Sequence, residues 1–153
     1  SVEGELGYMN EEDGTGSVHP GTGYTTVAAA RQYAEKSGVD ALAIAIGNAH
    51  GIYKGTPSLD LDRLDDIRQA VTVPLVLHGS SGIPVALLQE AIRRGIRKIN
   101  VNTEVSTTGI QAARDFLATH MDPNTRFEKM TKAAETAMSQ VVQTYIDICA
   151  LKK

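Results

Sequence analysis

His50 and His78 are the residues of this 153-residue chain whose type and surroundings most invite chemistry. Each closes an apolar run, "ALAIAIGNAH" and "PLVLH", and each is followed directly by a glycine, Gly51 and Gly79. Neutral imidazole suits a divalent ion such as zinc, and two rings at neighbouring strand ends come within reach of a single ion. The plainer reading is that each ring hydrogen-bonds its own loop. These residues alone leave both readings open.

The small residues after His78, namely Gly79, Ser80, Ser81 and Gly82, lead into a helical pattern. Backbone N–H groups at a helix start, reinforced by the helix dipole, form a place for an anion. Asn100, Val101, Asn102 and Thr103 repeat the arrangement one strand later, and ordinary Ser/Gly capping is the alternative at both. Glu3 and Glu5, at period two, share one face of a strand, which in a closed barrel is the interior. Glu11, Glu12 and Asp13 lie in a long, polar, glycine-rich connection from Gly7 to Tyr24. Loops of that length are often lids, and a carboxylate on one can act as acid or base on closure; a solvated acidic run is the competing reading. His19 and His120 lack such context and receive no role.

Positioning these groups falls to short apolar segments. "VEGEL" (Val2–Leu6), "ALAIAIG" (Ala41–Gly47), "PLVLHG" (Pro74–Gly79) and "IRKINVN" (Ile96–Asn102) read as strands. Between them "TTVAAARQYAEKSG", "LDLDRLDDIRQA" and "PVALLQEAIRRG" carry apolar residues at helical spacing. Gly38 and Gly95 end the first and third of these, and Pro84 opens the third at its first helical position. Two longer helices follow, Glu104 to His120 and Arg126 to Leu151. Alternation of this kind predicts a parallel sheet with right-handed crossovers, either doubly wound or a (β/α)8 barrel. Four βα units in 153 residues are half of what a barrel of ~250 residues contains. The expected architecture is therefore α/β, the second half of a TIM barrel (strands five to eight and the closing helices). The chain opens in mid-fold without an initiating Met, so its N-terminal half-barrel is expected elsewhere.

Bulk properties narrow the partners. With 15 basic against 18 acidic residues, the net charge of −3 and the absence of a basic cluster argue against nucleic acid. No apolar run approaches the ~18 residues of a membrane span, and no signal-peptide pattern is present. The lone Cys149 suits a reducing compartment, so a cytoplasmic location is expected.

In order and spacing, "VEGELG", "GVDALAIAIGNAHGIYKG", "PLVLHGSSGIP" and "GIRKINVNTE" resemble the C-terminal half of class II, zinc-dependent ketose-bisphosphate aldolases. The likeness runs from Val2 to about Thr103 and is closer to the tagatose-bisphosphate branch than to the fructose-bisphosphate branch. The resemblance implies a (β/α)8 barrel of carbohydrate metabolism that reversibly cleaves a ketose 1,6-bisphosphate into dihydroxyacetone phosphate and glyceraldehyde 3-phosphate. It implies Zn²⁺, with a monovalent cation (Na⁺ or K⁺) as a second ion, and self-association as a dimer or tetramer. His50 and His78 match the second and third zinc ligands, and Glu5 a strand glutamate near the metal. Gly51, Gly79, Ser80, Ser81, Asn100, Val101, Asn102 and Thr103 match segments that bind dihydroxyacetone phosphate. Glu12, or Glu11 in the other loop register, matches the carboxylate that exchanges a proton with the substrate carbon. The family's first zinc histidine and the catalytic aspartate before it come from an earlier strand, outside this sequence. The rival expectation is an aldolase-like phosphosugar-binding or regulatory subunit without catalysis.

Overall fold

Four of the apolar runs form strands because they are rich in Ile, Val and Leu and bounded by glycine or polar residues. A computed structural model describes residues 1–7, 23–53 and 55–152. Strands β1 (Glu3–Leu6), β2 (Ala41–Ile44), β3 (Leu75–Leu77) and β4 (Ile96–Ile99) make one parallel sheet in the order β1-β2-β3-β4. Helices α1 (Val27–Ser37), α2 (Leu61–Ala70) and α3 (Val85–Arg94) connect them. A doubly wound sheet reverses strand order at a switch point. Among the described strands there is no reversal, as in a barrel.

Capping sets the helix limits. Thr26 accepts the N–H of Ala29 at the start of α1 and Asp60 that of Arg63 at the start of α2, while Gly38 ends α1 in the left-handed conformation. Pro84 was expected inside α3 but stands as its N-cap, with ψ of 135°. Its φ of −53° is helical but its ψ is extended, so Val85 is the first helical residue.

Strands β2, β3 and β4 are shorter at their C-terminal ends than their apolar runs, because neighbouring loops take over their hydrogen bonds, whereas β1 ends at Leu6 as expected. The N–H of Ala45 goes to Thr25 Oγ1 and that of Ile46 to Asn48 Oδ1, which ends β2 at Ile44. The carbonyl of His78 accepts from Asn48 Nδ2 rather than from a strand. Asn102 already serves as the N-cap of the next helix, so the run to Asn102 stops as a strand at Ile99.

Leu42, Ile44, Leu75, Leu77 and Ile96 are buried, as are Ala30, Leu64, Ile67, Leu88 and Ala91 of the helices. Burying each large aliphatic side chain contributes ~1.5–3 kcal/mol, so this core holds the sheet in place. The other face of the sheet runs across the register row Glu5, Ala43, Val76 and Lys98. The register shifts between Leu75 and Val76: Leu75 pairs with Ile96 but Val76 with Lys98. This irregularity lets Ile96 join the core while Lys98 stands in the row that carries Glu5, the kind of re-aiming that bulges accomplish near functional sites.

The chain divides into two compact units, Ser1–Val101, which holds the sheet, and Asn102–Lys153. In the second, α4 (Thr103–Thr119) packs on α5 (Phe127–Cys149). His120 and Arg126, expected inside these helices, are instead a C-cap and an N-cap. Gly109 allows the approach, since a Cβ there would lie 2.6 Å from Met138 Sδ. No helix among the described residues is long and apolar enough to cross a membrane.

Candidate metal centre

Glu5 stands on β1, His78 directly follows β3, and His50 lies in the loop beyond β2. Glu5, His50 and His78 each bring one ligand atom to within 4.8 Å of the others. The two ring centroids are 5.9 Å apart, and His78 Nδ1 is 2.9 Å from Glu5 Oε2. The chain passes this arrangement over β2, whose Ala43 occupies the row between Glu5 and Val76. A methyl group there leaves space for a carboxylate and an imidazole to meet.

The donors fit a divalent ion. Two imidazoles and a carboxylate are the ligand types zinc takes, and donor atoms around tetrahedral zinc lie about 3.3 Å apart. Side-chain rotation of His50 and Glu5, both exposed, covers the remaining difference.

Glu3, two residues before Glu5, meets the other side of the same ring. His78 Nε2 is 2.9 Å from Glu3 Oε1, and Lys98 Nζ donates to Glu3 Oε2 at 2.8 Å. Lys98 also donates to Asn100 Oδ1 at 2.6 Å. The Lys98 hydrogen bond, supported by that of His78, holds the Glu3 carboxyl below the ordinary carboxylate value against its partial burial. The Glu3–Lys98 pair joins the two edge strands, separated in a flat sheet by about three strand spacings, ~14 Å.

Two side chains tie the histidine loops together. Asn48, buried, donates to the His78 carbonyl at 3.1 Å. Tyr53 Oη accepts the N–H of Ala49 at 2.9 Å and donates to the carbonyl of Gly79 at 2.8 Å. Burial raises the Tyr53 pKa above its ordinary 10.0. Gly79 has φ of +59° and sits where a Cβ would be 2.0 Å from the Ala49 carbonyl oxygen. Gly51 has φ of +90° but open space around it.

The remaining candidates are distributed as follows. Ser80 and Ser81 are buried in the turn after His78, and the Ser80 hydroxyl donates to the Leu77 carbonyl, so an anion there would meet the Ser80 backbone rather than its side chain. Asn100 donates its N–H to the Leu77 carbonyl and with Val101 closes the first unit, whereas Asn102 and Thr103 open the second. Glu11, Glu12, Asp13 and His19 lie outside the described residues. His120, given no role, stacks on Phe116 at 4.0 Å beyond the end of α4. A groove of about 510 Å³ on the second unit is lined mainly by apolar residues such as Met130, Met138 and Val142 and holds none of the candidate ligands.

Sequence reasoning passed over Lys98, Asn48 and Tyr53 and noted Glu3 only as facing inward. The available signals were "KIN", which sets Lys98 two positions before Asn100, and "GNAHGIY", which brackets His50 with an amide and a phenol.

A parallel sheet in sequential order, with two histidines beyond its strand ends and a strand glutamate that together could hold a metal ion, describes a β/α half-barrel. The chain belongs to the class-II fructose-bisphosphate aldolase family, whose model matches residues 1–153. It is similar to the YdjI aldolase from Escherichia coli K12 (34% identity, TM-score 0.77), with 95% of this chain and 48% of that one covered. A Coccidioides immitis protein assigned as a fructose-1,6-bisphosphate aldolase matches at 28% identity and a TM-score of 0.81, over 97% of this chain and 51% of that one. The fructose-bisphosphate aldolase of Campylobacter jejuni shares the fold (18% identity, TM-score 0.71, coverage 97% and 51%). The chain thus spans about half the length of the solved structures it matches, and its α/β fold corresponds to half of an aldolase barrel.

Proposed function

We propose that residues 1–153 supply the second half of a class II aldolase barrel that reversibly cleaves a ketose 1,6-bisphosphate to dihydroxyacetone phosphate and glyceraldehyde 3-phosphate. The observation that carries this reading is the meeting of Glu5, His50 and His78 within 4.8 Å. These three residues would hold a divalent cation, Zn²⁺ by the chemistry of the donors, and that ion supplies Lewis-acid polarisation of the substrate ketone.

The chain's own residues orient the substrate. The amides of Gly51 and of Gly79 to Ser81, with Asn100 to Thr103, grip the phosphate and hydroxyls of the three-carbon unit, so that binding energy aligns the bond to be cleaved. Glu12, or Glu11, gives or takes the proton at the carbon released on cleavage. The aspartate that serves the neighbouring hydroxyl, and a further histidine ligand, belong to the other half of the barrel. A monovalent cation, Na⁺ or K⁺, accompanies the phosphate. Tagatose bisphosphate is the favoured substrate and fructose bisphosphate its competitor; the enzyme acts as a homo-oligomer in the cytoplasm.

The test uses the full-length protein with both bisphosphates in parallel and reads triose phosphate release through a coupled dehydrogenase. The expected result is turnover that is lost with EDTA, restored by Zn²⁺ and absent from His50→Ala and His78→Ala. Turnover indifferent to EDTA and to both substitutions overturns the reading. Binding of the bisphosphates without turnover assigns the protein to the non-catalytic subunits instead.

A further inference from the structure

The two nitrogens of His78 have different partners. Nδ1 faces Glu5, a member of the ligand group, at 2.9 Å, and Nε2 faces Glu3 at the same distance. The second oxygen of Glu3 is held by Lys98 at 2.8 Å, and Lys98 is held in turn by Asn100 at 2.6 Å. We propose that Glu3 and Lys98 are positioning residues for the metal centre, a carboxylate–ammonium brace that fixes the His78 ring with Nε2–H toward Glu3 and the Nδ1 lone pair toward the ion.

The physical reason lies in the two tautomers of neutral imidazole. Only one nitrogen carries hydrogen, and a metal needs the lone pair of the other. Glu5 lies as close to Nδ1 as Glu3 does to Nε2, so the choice belongs to the ion: a cation held between Nδ1 and Glu5 would take that lone pair and leave the ring's one hydrogen on Nε2, where the ionised Glu3, which accepts and cannot donate, would hold it. A carboxylate with one anchored oxygen cannot swing, and Lys98 provides that anchor from the opposite edge of the sheet. Carboxylate partners of this kind orient ligand histidines in zinc sites, and their loss typically costs about 10–100-fold in metal affinity. Side-chain exposure is 12% at His78, 26% at Glu3 and 52% at Lys98, so the ring end of the brace is its more sheltered part. The same chain of contacts runs on to Asn100, so the orientation of a metal ligand and that of a substrate-binding candidate are set together.

This inference rests on the metal-centre reading above, and the experiment separates the two. Zn²⁺ affinity of the full-length protein is measured by competition with a chromophoric chelator, alongside the visible absorption of the Co²⁺-substituted form. The wild type is expected to bind Zn²⁺ tightly, and Glu3→Ala about 10–100-fold more weakly with an altered Co²⁺ spectrum. Glu3→Gln, whose amide oxygen still accepts from Nε2, is expected to recover part of the affinity, which also guards against misfolding of the alanine variant. Lys98→Met is expected to weaken binding less than Glu3→Ala, and the double variant to bind no worse than Glu3→Ala alone, because Lys98 acts through Glu3. A wild type that binds Zn²⁺ while Glu3→Ala and Glu3→Gln both stay within twofold of it overturns the brace and leaves the metal centre standing. Additive losses in the double variant also overturn it. A wild type that binds no Zn²⁺ overturns both readings.

Discussion

The Tyr53 hydroxyl donates to the Gly79 carbonyl at 2.8 Å, and so joins the loop that carries His50 to the turn that follows His78. The same oxygen accepts the N–H of Ala49, one residue before His50. A single phenol therefore sets the spacing of two candidate ligands from different strand ends.

Tyr53→Phe removes this strap while keeping the ring. Loss of the hydroxyl deprives both backbone groups of this partner, and a destabilisation of ~1–3 kcal/mol is expected, measured by urea unfolding at neutral pH. The sign of the pH dependence follows from the raised Tyr53 pKa. A group whose folded pKa lies above its unfolded value contributes stability below the unfolded value, here 10.0, and loses it as pH rises through the folded value. The wild type should therefore lose stability above about pH 10 more steeply than Tyr53→Phe, as read from unfolding midpoints on both sides of that pH.

Glycine substitutions at the two histidine-glycine pairs should differ. Gly79→Ala meets the Ala49 carbonyl as well as an unfavourable φ, and an expected loss of at least ~2–3 kcal/mol would be accompanied by weakened metal binding. Gly51→Ala has open space and incurs only the conformational cost, ~1–2 kcal/mol. Equal unfolding free energies for the two variants would show that the close approach at Ala49 does not matter.

Zn²⁺ should raise the thermal unfolding temperature of the full-length protein and EDTA should reverse the effect. At free Zn²⁺ one hundred times the dissociation constant, linkage gives about 2.7 kcal/mol of stabilisation. Glu5→Ala and His50→Ala are expected to lose most of the shift, measured by calorimetry in matched buffers. A full shift in both variants would place the ion elsewhere.

Glu11→Gln and Glu12→Gln distinguish the lid candidates. The working carboxylate is expected to lose about 10²–10⁴-fold in turnover and in solvent hydrogen exchange into dihydroxyacetone phosphate, with Zn²⁺ affinity unchanged. The other substitution should leave both rates near wild type. Isotope incorporation followed by mass spectrometry supplies the measurement.

Much of the fold was legible because its signals are local. Apolar runs of strand length, helical spacing between them, and glycines such as Gly38 and Gly95 set the order of elements without knowledge of distant contacts. His50 and His78 could be named for the same reason: a parallel β/α arrangement brings successive strand ends together, so residues there share one place once the element order is known, whereas period two marked Glu5 only as inward-facing and its place near a metal came from the family resemblance.

What only the tertiary structure decided depends on residues far apart in the chain. Glu3 meets His78 across 75 positions and Lys98 across 95, and no local periodicity records such pairs. Nor did the pattern of β4 announce the register shift, since alternation would set Ile96 and Lys98 on one face, whereas pairing with β3 buries the first and turns the second toward Glu3. The strand ends moved for a related reason: the hydroxyl of Thr25 and the amide of Asn48 take hydrogen bonds that a strand would otherwise make. Sequence by itself determined which segments are strands and helices and which residue types stand at their ends. Three-dimensional packing alone decided which side chains meet, because register and side-chain reach are settled between strands and not within them.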